Sequence, residues 1–86
     1  MSYRLELARP AKKALDRMDS QTEARIWQRL HELEQSPLDK SKALKGVEGV
    51  RSSRVGDWRI LYAINEGERL IYVLAVRPRG QAYRRL

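Results

Sequence analysis

Three arginines in the second half of this 86-residue chain are spaced as if to meet on one phosphate. Arg54 ends a β-rich run, Arg59 lies just across the Gly56-Asp57 turn, and Arg79 follows the last β-rich run. Neighbouring strands lie about 5 Å apart, so side chains from three of them can converge on one patch. Each guanidinium offers a planar fork of donors that matches phosphate geometry and stays charged at any physiological pH. Tyr83, four residues after Arg79, sits in the polar tail Gly80-Gln81-Ala82-Tyr83-Arg84-Arg85, where its ring has no apolar run to pack with. Stacking on a base, or donating a proton, is the chemistry open to it. A plainer reading stands beside this one: the arginines guard strand edges against aggregation, and Tyr83 closes the core.

The charge balance favours an anionic partner. Lys and Arg number 18 against 11 Asp and Glu, a net charge of +7 with pI near 10.3. The excess is concentrated: residues 50–86 carry eight basic and three acidic side chains, and all eight are Arg. A phosphate-rich partner is the natural expectation, with solubility or an acidic protein partner as the other accounts. The chain has no Cys and a single His, which excludes disulfides, Cys-zinc sites, a thiol nucleophile and His-cluster metal sites, and leaves little ground for a Ser-His-Asp triad. His31 could act as a base near neutral pH, but its place in a helix reads more simply as a surface position. A cysteine-free composition fits the reducing cytoplasm. The longest apolar run, residues 70–76, is too short to span a membrane, and the charged N-terminus is unlike a signal peptide.

The elements follow from periodicity. Residues 1–86 are expected to form one domain of small core. Residues 3–7 alternate apolar and charged, a half-buried strand. Pro10 suits the start of a helix running to about Met18, with Ala14, Leu15 and Met18 inward. Ser20-Gln21-Thr22-Glu23 reads as a capping box opening a second helix, whose stripe is Ile26, Trp27, Leu30 and Leu33 and which Pro37 stops. Residues 38–49 read as a short turn of helix and a loop. Residues 50–55, 58–64 and 69–77 then read as strands joined by two short turns. Trp58, Ile60, Tyr62 and Ile64 point toward the helices, which sets Arg59 on the opposite face, open to a ligand. Trp27 and Trp58 could stack bases but lie on apolar faces, and Lys12, Lys13 and Arg17 read as a solvated helix face. The expected fold is α+β, β-α-α-β-β-β: an antiparallel meander with an N-terminal αα-hairpin packed on one face and the N-terminal strand joining the sheet.

The run Val55-Gly56-Asp57-Trp58-Arg59-Ile60-Leu61-Tyr62, a following strand, and Arg79-x-x-x-Tyr83-Arg84 resemble a RelE-type toxin of the RelE/ParE superfamily. Upstream, Leu44-Lys45-Gly46 precedes a strand bearing Arg54, and the opening β-α-α order agrees, so the resemblance covers nearly the whole chain. It implies the toxin of a type II toxin–antitoxin system: a metal- and cofactor-independent endoribonuclease that enters the ribosomal A site and cuts mRNA there. In that chemistry the substrate 2′-OH attacks the adjacent phosphorus and leaves a 2′,3′-cyclic phosphate. The implied partners are a cognate antitoxin, expected to be acidic and partly disordered, the ribosome and its mRNA, and operator DNA only through the antitoxin complex; no membrane is involved. By resemblance Arg59 binds phosphate, Arg79 stabilises charge or assists the leaving group, Tyr83 contacts the nucleotide, and Arg54 fills a commonly basic position. Lys45, Arg51, Ser52, Arg77, Arg84 and Arg85 are the accompanying RNA- or ribosome-binding candidates. One departure stands out: some members carry a second basic residue where this chain has Ser52, and Arg54, with a pKa above roughly 12, cannot serve as a base. A gyrase inhibitor of ParE type and an RNA-binding module without cleavage are the rival expectations.

Overall fold

A helical layer lies on one face of a five-stranded sheet in the computed structural model, which describes residues 2–78. The elements are β1 (Arg4–Leu7), α1 (Arg9–Asp16), α2 (Ser20–Gln35), β2 (Lys42–Ala43), β3 (Arg51–Val55), β4 (Trp58–Asn65) and β5 (Leu70–Pro78). The sheet order is β1-β5-β4-β3-β2. Strands β3, β4 and β5 form the expected antiparallel meander, and β2 adds to it antiparallel. The sheet is nevertheless mixed, because β1 pairs parallel to β5, with Leu5 opposite Ile71 and Leu7 opposite Val73. Alternation sets which face of a strand is buried but not which neighbour it takes, since either ladder satisfies the backbone. Strand β2 is the second correction: residues 38–49 form a turn, a two-residue edge strand and a second turn through Gly46 and Gly49.

Both helices form where the apolar spacing places them. Pro10 sits in the first turn of α1, where its missing N–H loses nothing, and Ala11 and Leu15 are buried beneath that helix. Ala14 and Met18 pack at its margin. The cap of α2 lies one residue earlier than the capping-box reading: Asp19, not Ser20, accepts from the Thr22 backbone N–H at 3.1 Å and from its hydroxyl at 2.7 Å. Asp and Ser are comparable caps, so composition alone does not choose between adjacent candidates. Ile26, Leu30 and Leu33 carry the stripe of α2, while Trp27 is half-buried. Helix α1 packs on β5, and α2 crosses above β1 and β3.

The core joins these helical residues to Val55, Ile60, Tyr62, Ile71, Val73 and Val76 of the sheet, so the Trp58/Ile60/Tyr62/Ile64 face does turn inward. Tyr62 is fully buried, and its hydroxyl donates to the Pro37 carbonyl and lies 2.8 Å from Ser41 Oγ. That phenol ties the segment after α2 to the centre of the sheet. At the other end, Tyr3 donates to Glu66 at 2.7 Å, a bond that raises the phenol's pKa, and the Arg69 guanidinium lies 4.4 Å over the Tyr3 ring.

Two consequences can be measured. Tyr62→Phe leaves the buried Pro37 carbonyl with only the longer 3.3 Å bond from Ser41 Oγ and is expected to destabilise the fold by about 0.5–1.5 kcal/mol in urea denaturation. The bonds to Thr22 hold the Asp19 carboxyl below its ordinary value of 3.8, so its capping contribution is complete above that value and fades as pH falls through the lowered one. The melting-temperature gap between the wild type and Asp19→Ala should therefore be widest at neutral pH and narrow below pH 3.8.

Candidate functional site

Strand register, rather than any single residue, assembles the site. Arg54 on β3 is the register partner of Arg59 on β4, and Arg59 is the partner of Arg77 on β5. Antiparallel partners have Cα atoms roughly 4.5–5.5 Å apart and side chains on the same face. The three arginines thus form one row across three strands, on the face turned away from the helices. Arg77 reaches this row through a register shift opposite Leu61 and Tyr62, where Ala75 and Val73 pair and Leu74 is the extra residue. Ile71 and Val73 are buried toward the helices; strict alternation would bury residue 77 with them. The bulge reverses the phase, so Val76 enters the core and Arg77 is exposed beside Arg59.

Arg59 departs from expectation in one respect. It lies on the face opposite the core, but only 5% of its surface is accessible, so little of it meets solvent. Its Nη1 donates to Ser52 Oγ at 2.9 Å, and Ser52 is itself 3% exposed. Ser52 occupies the β3 position opposite Leu61, two residues from Arg54 on the same face. The residue that reads as a missing base is here the acceptor that orients the central guanidinium. It is enclosed in the sheet rather than offered to a partner as an RNA-binding surface residue.

The other candidates separate by face. Arg51 points to the helix side, where its Nε donates to Ser41 Oγ at 3.0 Å and its Nη2 to the Ser41 carbonyl at 3.2 Å; it braces the turn and stands apart from the row. Lys45 is exposed in the turn beyond β2. A depression of about 660 Å³ is lined by that turn and by Val50 and Ile64, away from the row. Arg77 also borders a depression of about 460 Å³ shared with Arg17, Met18 and Trp58. His31 is exposed, with Nδ1 3.0 Å from Glu34, and contributes nothing to the row. Arg79, Tyr83, Arg84 and Arg85 lie outside the described residues. No group of three or more metal-ligating His, Asp or Glu side chains occurs among the described residues. Sequence reasoning named Arg77 as an accompanying RNA- or ribosome-binding candidate; the strand register sets it beside Arg59. The apolar run before Arg77 carries no alternation to mark the bulge that sets its direction.

A sheet face bearing three in-register arginines, the central one bonded to a buried hydroxyl, gives this α+β domain a concentrated row of positive charge. The comparisons give it a family. The family model described as ParE toxin of type II toxin-antitoxin system, parDE, matches residues 5–83, and the chain belongs to this family, within the RelE/ParE toxin superfamily. Among solved structures, the chain is similar to one in the RelBE2 toxin–antitoxin complex of Mycobacterium tuberculosis, at 26% identity and TM-score 0.82, covering 92% of this chain and 100% of that one. It is also similar to one in the archaeal RelE–RelB complex of Pyrococcus horikoshii, at 26% identity and TM-score 0.81, covering 94% and 99%. The intact RelBE complex of E. coli shares the fold, at 20% identity and TM-score 0.80 over 90% and 96% of the two chains. No curated protein sequence matches the chain at a significant level.

If Ser52 orients Arg59, Ser52→Ala removes one acceptor of a buried charged donor and should lower stability by about 1–3 kcal/mol. A urea midpoint identical to that of the wild type would show that the guanidinium is held by other means.

Proposed function

We propose that this toxin is a ribosome-dependent mRNA endonuclease. The arginine row with its Ser52-braced centre is the observation that carries the reading. The resemblance of the Arg54, Arg59, Arg79 and Tyr83 positions to RelE-type toxins supports it, as does the similarity to two chains found in RelB–RelE complexes.

In this mechanism a phosphodiester of the A-site codon lies over the sheet. The substrate 2′ oxygen attacks the adjacent phosphorus; the bond from phosphorus to O2′ forms as the bond to O5′ breaks. The products are a 2′,3′-cyclic phosphate and a 5′-hydroxyl, with one proton leaving the 2′-OH and one arriving at the departing oxygen. Arg59 binds a non-bridging phosphate oxygen in an orientation set before the substrate arrives, which is where fixed donors are most effective. Arg54 and Arg77 add positive charge on either side as negative charge builds on the phosphoryl oxygens. Arg54 remains a cation throughout and takes no proton. Neutralising the phosphate makes the 2′-OH more acidic, and the proton passes to Tyr83 or to a group of the RNA. Arg79 assists the leaving oxygen. Positioning and charge supply most of the acceleration, as is common in phosphoryl transfer. A cognate antitoxin restrains the toxin; a net charge of +7 on a small domain suits an acidic, partly disordered chain that wraps it.

A second reading, inhibition of DNA gyrase, is favoured by the description of the matching family as ParE. The two separate in the cell: the nuclease stops translation, whereas a gyrase poison damages DNA and causes filamentation.

Inducible expression with primer extension on a translated message tests the proposal. Arg59→Ala should lower codon cleavage by at least about 10²–10³-fold and relieve growth arrest, with far-UV circular dichroism preserved. Arg59→Lys, which keeps the charge and loses the fork, should fall between them. Cleavage at the wild-type rate by the folded Arg59→Ala protein would remove the site assignment.

A further inference from the structure

A second cluster of cations lies around the free edge of β3. Strand β2 covers β3 only at Arg51 and Ser52, so the stretch from Ser53 to Val55 is an edge. Helix α2 and the turn after it close over that edge. Arg29 Nη1 donates to the Arg54 carbonyl at 2.8 Å and to Ser53 Oγ at 2.9 Å, and the Ser53 hydroxyl donates to the Lys40 carbonyl at 2.7 Å. Between helix and edge is a cleft of about 270 Å³ lined by Arg25, Arg29, Glu32, Lys40, Arg54 and Gly56, among others. It is smaller than the roughly 300–1,000 Å³ typical of pockets for drug-sized ligands, and its size suits a compact anion rather than a whole nucleoside.

The four cations are unequally occupied. Glu32 accepts from Arg29 Nε at 3.0 Å and lies 3.3 Å from Lys40 Nζ. Those contacts, the Lys40 bond foremost, hold the Glu32 carboxyl below the usual carboxylate range. The carboxylate is thus committed to two of the four. Arg25 makes no hydrogen bond or ion pair with any described residue, and Arg54 has a single long bond, Nε to the Gly56 carbonyl at 3.4 Å. Arg25 is parked against the β3–β4 turn at a point where only glycine fits well: Gly56 has φ +58°, and a Cβ there would come 3.1 Å from Arg25 Nη2. Two under-committed guanidinium groups therefore flank one small polar cleft.

Arg54 belongs both to this cleft and to the row with Arg59 and Arg77. We propose that the cleft is a second phosphate site, bound by Arg25 and Arg54 and backed by Arg29 and Lys40, through which an RNA backbone passes from the arginine row around the β3 edge to helix α2. The inference rests on the RNA-directed reading of the row and adds to it a phosphate position away from the reacting one.

Equilibrium binding of the full chain to a fluorescent single-stranded oligouridylate, measured across a salt series, tests it. Each phosphate contact on single-stranded RNA contributes about −0.7 to the slope of log K against log salt. Arg25→Ala should reduce the magnitude of that slope by about 0.7 and weaken binding roughly three- to tenfold at low salt. Lys12→Ala, an exposed cation on α1 outside the cleft, should change neither. Arg25→Lys should keep the slope but recover only part of the affinity, since it restores charge without the fork. An Arg25→Ala slope equal to that of the wild type, or equal losses in Arg25→Ala and Lys12→Ala, would overturn the site. So would an unchanged RNA slope combined with weakened binding of a polyglutamate peptide, which would assign the cleft to an acidic protein. The measurement does not depend on cleavage: absence of ribosomal mRNA cutting by the wild type defeats the nuclease reading and leaves the slope result standing.

Discussion

The register between β4 and β5 is the constraint on which the rest of the molecule depends. One extra residue in β5, opposite the Leu61–Tyr62 step, separates two alternating phases. Before it Ile71 and Val73 face the helices; after it Val76 does, and Arg77 turns outward. Without that shift an arginine would point into a core that includes Leu15 and Ile60, where an unpaired charge is strongly disfavoured. The same shift completes the row of Arg54, Arg59 and Arg77. Core packing and site assembly are thus two results of one backbone irregularity.

Holding three like charges together requires bracing, and small hydroxyls do it. Ser52 fixes Arg59 on the open face, and Ser53, its neighbour on β3, faces the other way and joins Arg29 to the Lys40 carbonyl. Ser41 collects Arg51 and Tyr62 at the turn after α2. A serine accepts from a guanidinium without adding charge of its own, so orientation is gained while the positive potential of the sheet face is kept. An acidic residue at position 52 would hold Arg59 more tightly and cancel its charge.

The division of labour among the arginines follows from this scaffold. Arg29 and Arg51 each bond a backbone carbonyl and a hydroxyl of neighbouring segments. Arg59 is buried and preset, while Arg54 and Arg77 remain exposed at its sides. Composition reports only that the second half of the chain is rich in arginine; identical side chains acquire different duties from strand parity and from which edge a helix covers.

Much of this was legible in the residues themselves. Local patterns determined both helices, the Gly56-Asp57 turn, the three meander strands and the inward face of β4, because 3.6- and 2-residue periodicities act over short range. Chain chemistry likewise determined that Arg59 stands opposite the core and that the domain carries a net charge of +7. Tertiary structure alone decided the parallel pairing of β1, the existence of β2, the side on which Arg77 emerges and the burial of Arg59 against Ser52. Each of these depends on contacts between residues far apart in sequence. The run from Leu70 to Val76 is apolar throughout, so no alternation marks where β5 changes phase; only packing against β4 and the helices chooses it.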